Sequence, residues 1–139
     1  MDKDLESIQQ ARELLRAAGA AQKQLAGFSQ EKLDAIAKAV ADAFHSKAQE
    51  LAEMAVRETG FGNVKDKTIK NQFASHRVWE AVKDMKTVGV LNTDSREKLW
   101  QIGVPVGVIA GVVPSTNPTS TVCYKTIAQC GLCLTLLGG

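Results

Sequence analysis

The feature that most constrains the fold is an apolar, β-branched run of residues from Val104 to Val113. The run shows no alternation of polar and apolar side chains, which is typical of a strand covered on both faces in a parallel sheet. Pro105 lies at its start, where the missing N–H of a proline is tolerated. The sequence therefore predicts a buried parallel strand over Val104–Val113.

A short polar loop follows this strand and leads into a helix. The loop is Pro114-Ser-Thr-Asn117, and Pro118 suits the first helical position with Asn117 as its N-cap. The side chains expected to face inward from this helix are Val122, Cys123, Thr126 and Ile127. A strand, a loop and a helix in this order predict the opening of a doubly wound α/β sheet, in which ligands bind outside the carboxyl ends of the strands.

The chain that precedes this strand divides into a helical part and a hairpin. Its composition changes near Thr87, from Ala, Gln, Glu and Lys to Val, Ile, Gly and Thr. Apolar spacing predicts four helices, which run from Asp4 to about Ala18, from Ser29, from a Ser46–Gln49 capping box to Gly60, and from about Asn63 to Met85. The predicted hairpin consists of a strand at Thr87–Leu91, a turn at Asn92–Ser95 and a strand from Glu97 to Gly103.

The composition excludes several classes of protein. The chain has 139 residues, with 17 Lys and Arg against 15 Asp and Glu, and the formal net charge of +2 gives no basic excess for nucleic acid or a membrane surface. No apolar run approaches the roughly 20 residues that a membrane-spanning helix needs. The cysteines are odd in number and lack further ligands near by, so they predict a reducing cytoplasm, no disulfide framework and no metal site: Cys123, Cys130 and Cys133.

The polar loop at residues 114–119 is the candidate site for chemistry. Exposed amides and the positive dipole at a helix N-terminus suit a developing oxyanion or an anionic ligand. The side-chain amide of Asn117 can donate to the same oxygen. The competing interpretation is that Asn117 and its neighbours only cap the helix, and the residues by themselves favour capping.

The other reactive side chains are predicted to have structural roles or to be solvated. Cys123 follows a helix N-terminus, where thiol pKa values fall, but it lies on the predicted inner face of that helix. A solvated helix face is predicted for the basic cluster of Lys65, Asp66, Lys67 and Lys70. His45 and His76 are expected to be isolated residues, either solvated or capping.

Four segments occur in an order that resembles a known family. They are Met54–Gly60, Lys65–Asn71 with Phe73–Ser75, Lys86–Leu91 and Val104–Thr121. The combination of D-K-x-I-K-N-x-F-A-S with P-S-T-N-P-T-S-T is more specific than either fragment alone. The chain resembles, over roughly Leu5 to Thr126, the N-terminal portion of CoA-acylating aldehyde dehydrogenases. These include the aldehyde dehydrogenase half of bifunctional aldehyde–alcohol dehydrogenases and the acylating enzymes of bacterial microcompartments.

The resemblance implies an oxidoreductase that oxidises an aldehyde with NAD⁺ and passes the acyl group to CoA. It implies an α/β fold with a helical region at 1–86, a hairpin arm at 87–103 that pairs subunits in a homo-oligomer, and an incomplete, doubly wound NAD-binding domain at 104–139. Residues implied to line the cofactor are Val113, Pro114, Ser115, Thr116 and Asn117. Asn117 is also implied to hold the substrate oxyanion, and the implied location is the cytoplasm or a microcompartment within it.

Two departures from the family pattern shape what we expect of the chain. The family's nucleophilic cysteine lies beyond residue 139, and none of the three cysteines matches its motif, so we expect this chain to be inactive alone. The resemblance decays after about Thr126, where a Cys- and Leu-rich ending suggests a truncated or frame-shifted tail.

An alternative function belongs to a different class, that of helical interaction modules. In this hypothesis the first amphipathic helix docks on a partner or on a shell protein. The competing interpretation is that the helix packs on its own domain, as most amphipathic helices do.

Overall fold

Helices make up most of the chain in the computed structural model, which describes residues 3–130 and 135–138. Within these residues the helices are α1 (Lys3–Leu25), α2 (Gln30–Ser46), α3 (Ala48–Thr59), α4 (Val64–Gln72), α5 (Val78–Val82) and α6 (Pro118–Cys130), with a π-helical turn at Phe73–Arg77. The strands β1 (Gly89–Asp94) and β2 (Leu99–Gly103) pair antiparallel, and β3 (Ile109–Val112) pairs parallel with β4 (Thr135–Gly138). None of the described helices is long and apolar enough to span a membrane.

Local signals set the ends of α2 and α3. The side chain of Ser29 accepts a hydrogen bond from the backbone N–H of Lys32, and Gly60 ends α3 in the left-handed region at φ 69°. Both predictions are confirmed. The predicted Ser46–Gln49 capping box is wrong, because the Ser46 hydroxyl donates to the carbonyl of Ala43 and α3 begins without a side-chain cap.

Helix α1 is longer and less buried than its sequence predicts. It continues through Gly19 to Leu25, since a single glycine costs a long helix only about 1 kcal/mol. The apolar stripe of the helix faces solvent, with Leu5 52% and Leu15 56% exposed, and Ala18 is the buried residue of the helix.

The predicted helix from Asn63 to Met85 is interrupted by the π-helical turn. Asn63 caps its start by accepting from the backbone N–H of Asp66 over 2.9 Å. The buried hydroxyl of Ser75 donates to the carbonyls of Asn71 and Gln72, over 2.8 and 3.2 Å. Such back-bonding competes with the helical hydrogen-bond ladder, and π-helical turns are frequent at functional sites.

The hairpin is confirmed, but its turn lies further along the chain than predicted. Asn92 and Thr93 belong to β1, because the Asp94 carboxylate accepts from the backbone N–H groups of Arg96 and Glu97 and so forms the turn. At the base of the hairpin, the Gln30 side-chain oxygen accepts from the backbone N–H of Thr87 over 2.8 Å. This bond fastens the hairpin to the start of α2.

The prediction of a doubly covered strand over Val104–Val113 is wrong in its length and its burial. The strand spans Ile109–Val112, and Val112 is 80% exposed. Gly107 has φ 110°, a conformation outside the extended region, so the residues before it do not continue the strand. The parallel direction is confirmed by the pairing with β4.

The core lies where α2, the π-helical turn, α5 and α6 meet. Ala41, Cys123 and Ile127 are buried at its centre, packed against Val40, Phe44, Val78, Trp79 and Val82. Cys123 and Ile127 thus face inward as predicted, while Val122 and Thr126 are half-buried. The described fold is mostly helical with a small antiparallel two-stranded sheet, whereas the sequence suggested a larger contribution from strands.

Candidate functional site

Residues 113–117, which we call the asparagine loop, connect the carboxyl end of β3 to the start of α6. The backbone N–H of Asn117 donates to the carbonyl of Pro114 over 3.2 Å, and the N–H of Thr121 donates to the carbonyl of Asn117 over 3.3 Å. Lys125, from the next turns of α6, donates to the carbonyl of Val112 over 2.8 Å. These bonds fix the loop at both of its ends.

The loop residues differ in their exposure. Pro114, Ser115 and Thr116 are exposed, whereas Val113 and Asn117 are half-buried. This arrangement leaves the polar groups of the loop open to a ligand while its ends remain anchored. That these five residues form a site together stays a prediction, as do their individual roles.

Two lysines of α4 reach across to the asparagine loop. The Lys67 ammonium donates to the main-chain carbonyl of Thr116 over 2.7 Å, and the Lys70 ammonium donates to Oδ1 of Asn117 over 2.6 Å. Lys67 is buried, at 7% exposure. The expectation of a solvated face is therefore wrong for Lys67, whereas Lys65, Asp66 and Lys70 are exposed as expected.

The contact between α4 and α6 continues through Asn71. This residue is buried; its amide nitrogen donates to the carbonyl of Ala48 over 2.9 Å, and its Oδ1 accepts from the Thr119 hydroxyl over 2.8 Å. We call residues 67–71 the lysine segment. The two motifs that carry the resemblance, D-K-T-I-K-N and P-S-T-N-P-T, thus bind each other directly.

The side chain of Asn117 is not used to cap α6. Because a lysine ammonium has donors only, the amide atom that faces Lys70 is the oxygen, and the amide nitrogen points the other way. That nitrogen donates to the hydroxyl of Thr116 over 3.3 Å. A primary amide carries two N–H groups, so this arrangement leaves a donor for an incoming oxygen atom.

A cleft of about 560 Å³ opens beside Asn117. It is lined by Lys70, Phe73, Ala74, Val78, Pro114, Asn117, Ser120, Thr121 and Tyr124. The volume falls in the range of small-molecule sites, and such sites combine apolar walls with a few placed polar groups. No acidic side chain is among these lining residues, so Lys70 makes this part of the described surface positive.

The described cysteines are not reactive groups of this site. Burial raises the pKa of Cys123 to about 12 and also raises the pKa of Cys130. The Cys123 thiol donates to the carbonyl of Ala74, 3.5 Å away, inside the core. These observations support the prediction that Cys123 and Cys130 have structural and not catalytic roles. Cys133 lies outside the described residues.

The two histidines form a pair, although they were expected to be isolated. The rings of His45 and His76 have centroids 5.6 Å apart, and both residues are exposed. Their contact joins the end of α2 to the π-helical turn. The described residues contain no cluster of three or more metal-ligating side chains.

The similarity of this chain to known proteins extends over both motifs. The model of the aldehyde dehydrogenase family matches residues 4–132. The chain belongs to the aldehyde dehydrogenase family. It corresponds to the N-terminal part of acylating aldehyde dehydrogenases and of the aldehyde dehydrogenase domain of bifunctional enzymes.

Three relatives show how much of such an enzyme the chain represents. It is 48% identical over 107 residues to the bifunctional aldehyde-alcohol dehydrogenase of Escherichia coli, covering 77% of this chain and 12% of that protein. A probable aldehyde dehydrogenase from Listeria monocytogenes superposes with a TM-score of 0.94 at 50% identity, over 99% of this chain and 30% of that one. An acetylating aldehyde dehydrogenase from Geobacillus thermoglucosidasius gives 0.92 at 47% identity, over 98% and 30%. The chain thus spans less than a third of each relative.

Two less similar solved structures carry ligands. A propionaldehyde dehydrogenase from Rhodopseudomonas palustris holds CoA and an acylated cysteine, with a TM-score of 0.67 at 26% identity over 91% of this chain and 28% of that one. An engineered glycolyl-CoA reductase holds NADP⁺, with a TM-score of 0.66 at 26% identity over the same shares.

A further similar structure is that of a mutant propionaldehyde dehydrogenase from a Clostridium phytofermentans bacterial microcompartment. Its TM-score is 0.70 at 29% identity, over 88% of this chain and 28% of that one.

The residues of the candidate site that the sequence interpretation missed are Lys67, Lys70 and Asn71. Their motif was part of the resemblance, but it was read there only as a family signature. The signal that could have found them is the pairing of two specific motifs in one chain. The lysine ammonium groups of one motif need hydrogen-bond acceptors, and the other motif supplies oxygen atoms that accept.

Proposed function

We propose that this chain is the amino-terminal part of a CoA-acylating aldehyde dehydrogenase. The reaction converts an aldehyde, CoA and NAD⁺ to an acyl-CoA, NADH and a proton. The observation that carries the proposal is the hydrogen-bonded contact of the lysine segment with the asparagine loop, beside an open cleft. The ligands held by the two similar solved structures described above support the choice of CoA and a nicotinamide cofactor.

Asn117 has the chemistry to stabilise the oxygen of the reacting aldehyde. When a nucleophile adds to the carbonyl, its oxygen gains negative charge and needs fixed donors. The amide nitrogen of Asn117 is directed away from Lys70, and the start of α6 adds its dipole. In this proposal Asn117 donates to the oxyanion, and its backbone neighbours hold it in place.

The residues around the cleft fit a nicotinamide cofactor. Phe73 and Tyr124 are 63% and 42% exposed and offer apolar surface for a ring, and Ser115 and Thr116 offer hydroxyl groups. We propose that residues 113–117 line this cofactor. When bound, NAD⁺ supplies the acceptor for the hydride that leaves the aldehyde carbon.

The nucleophile of the reaction is not among the described residues. Cys123 is fully buried, and its pKa of about 12 leaves almost no thiolate near pH 7. We therefore expect the 139-residue polypeptide to produce no acyl-CoA by itself. In the proposed complete enzyme, another segment provides the thiolate that forms the thioester.

The hairpin is proposed to be the arm that pairs subunits. All of β1 is exposed, and β2 exposes Leu99, Trp100 and Ile102. Exposed apolar side chains on a two-stranded sheet are typical of an interaction surface, because water is a poor environment for them. This arm gives the proposed enzyme a homo-oligomeric state.

The test of the function compares two loop variants in the complete enzyme that the proposal implies. Asn117→Ala should lower kcat for NAD⁺- and CoA-dependent aldehyde oxidation by about 10²–10³-fold, the usual effect of losing an oxyanion donor. Ser115→Ala, in the same loop, is the comparison: because its hydroxyl is proposed to contact the cofactor and not the oxyanion, it should raise KM for NAD⁺ and change kcat by less than about threefold. Equal activity of Asn117→Ala and the wild type would contradict the role of Asn117, and an inactive wild type would contradict the reaction.

A second candidate function is the docking of α1 on a partner or shell protein. The exposed apolar stripe of α1 favours it, since the described fold leaves this face uncovered. Deletion of residues 1–19 separates the two interpretations. Loss of co-assembly with a microcompartment shell protein at unchanged stability supports docking, while loss of stability supports packing within the enzyme.

A further inference from the structure

We infer that Lys70 is a positioning residue that sets the direction of the Asn117 amide. This inference rests on the proposed function of Asn117 as the oxyanion donor. Lys70 lies in α4, 47 residues before Asn117, and its ammonium is 2.6 Å from Oδ1. Both side chains line the same cleft.

The amide of an asparagine has two orientations that differ by half a turn. Only one of them directs the N–H₂ group toward an incoming oxyanion, whereas the other presents an oxygen and repels it. A lysine ammonium has donors and no acceptor, so it bonds to the amide only in the orientation that presents the amide oxygen. Lys70 therefore selects the orientation in which the amide nitrogen donates one N–H to Thr116 and keeps the other N–H for an incoming oxygen atom.

The charge of Lys70 is directed at Asn117 and not at a carboxylate. Among the described residues, the ion pairs join Lys38 to Asp42, Lys47 to Glu50 and Lys83 to Glu80, and none includes Lys70. The positive charge of the ammonium beside Oδ1 draws electron density from the amide and makes its N–H groups stronger donors. The lysine thus acts on the donor strength of Asn117 as well as on its direction.

Lys67 gives this arrangement its rigidity. Its buried ammonium holds the carbonyl of Thr116, the residue next to Asn117, from the same helix. The two lysines are one turn apart on α4, so the helix fixes the main chain and the side chain of the loop together. Lys70 is the residue to vary, because its loss leaves this main-chain contact intact.

The kinetic test uses Lys70→Met, Lys70→Arg, Asn117→Ala and the double variant in the complete enzyme. Lys70→Met should lower kcat by about tenfold, the range expected for one charge-assisted hydrogen bond, with KM for NAD⁺ unchanged. Lys70→Arg should restore most of the activity, since a guanidinium also only donates. In the Asn117→Ala background, Lys70→Met should have no further effect, because its target is gone.

The structural test needs no turnover and uses the 139-residue chain. The side-chain ¹⁵N relaxation of Asn117 should report a rigid amide in the wild type and a mobile one in Lys70→Met, with Lys65→Met as the control. An equally rigid amide in Lys70→Met would overturn the inference.

The outcomes separate the inference from the proposed function. A large effect of Asn117→Ala with none of Lys70→Met overturns only the inference. A loss in Lys70→Met that persists in the Asn117→Ala background also overturns it, because Lys70 would then act directly on the cofactor or substrate. No effect of Asn117→Ala would overturn both.

Discussion

Lys67 and Thr116 are 49 residues apart in the sequence, yet the Lys67 ammonium donates a 2.7 Å hydrogen bond to the main-chain carbonyl of Thr116. The lysine stem lies within 4 Å of the position that a Cβ on Gly62 would take, so the side chain is enclosed by the turn before α4. This contact joins the helical part of the chain to the loop proposed to bind the cofactor.

Replacing Lys67 should therefore weaken both the fold and the loop. Lys67→Met keeps the apolar stem but removes the donor to Thr116, and we expect a loss of about 1–2 kcal/mol in the free energy of unfolding. Lys65→Met, on the exposed part of the same helix, should change it by less than about 0.5 kcal/mol. Urea unfolding followed by circular dichroism measures both, and equal stabilities of the two variants would contradict a structural role for Lys67.

Of the two hairpin glycines, Gly103 is the one without room for a side chain, since nothing lies within 4 Å of a Cβ at Gly89. A Cβ at Gly103 would overlap the carbonyl oxygen of Thr87, which is main chain and cannot move aside without opening the base of the hairpin. Gly103→Ala should cost about 1–3 kcal/mol and accelerate amide exchange at Val90 and Ile102.

Gly19→Ala is the matched control for this prediction. Nothing lies within 4 Å of a Cβ at Gly19, and alanine favours the middle of a helix by about 1 kcal/mol. The control variant should be more stable than the wild type. A destabilised Gly19→Ala, or a Gly103→Ala hairpin with wild-type exchange rates, would contradict these assignments.

Burial of Cys123 predicts a loss of stability in alkali. Its pKa rises from an ordinary 9.0 to about 12 in the fold, so the folded state keeps the thiol neutral while the unfolded chain ionises it above pH 9. The contribution of the neutral Cys123 thiol to the free energy of unfolding is fully present below pH 9 and is lost as the pH rises toward 12.

A comparison of the wild type with Cys123→Ala tests this pH dependence. Between pH 8 and pH 10.5 the wild type should lose about 1–2 kcal/mol more than the variant, because alanine has no proton to release. Titrations common to both chains cancel in the difference. An identical pH dependence of the two urea midpoints would show that Cys123 ionises normally.

The local features of the fold were predictable because they depend on neighbours in sequence. Ser29 and Gly60 mark helix ends through bonds to residues within four positions, and Pro118 begins α6 as expected. The turn of the hairpin was misplaced because the Asp94 carboxylate, and not Asn92, binds the backbone N–H groups. The pattern alone does not say which of two suitable side chains does so.

The contacts that build the candidate site were not predictable from local pattern. Lys67 and Lys70 resemble any solvated cluster until the fold brings the asparagine loop within reach. The same holds for His45 and His76, whose contact depends on how α2 packs on the π-helical turn. Sequence did predict the loop itself, since a polar turn between a strand and a helix is a local signal.

The most direct test of the account is the coupling between Asn71 and Thr119, which join the two motifs. Asn71→Ala, Thr119→Val and the double variant form a cycle whose unfolding free energies are measured in urea. We predict a coupling of about 1 kcal/mol, because the Thr119 hydroxyl donates to Asn71 over 2.8 Å. Single effects that add to within about 0.3 kcal/mol would contradict a direct contact between the lysine segment and the helix that begins at the asparagine loop.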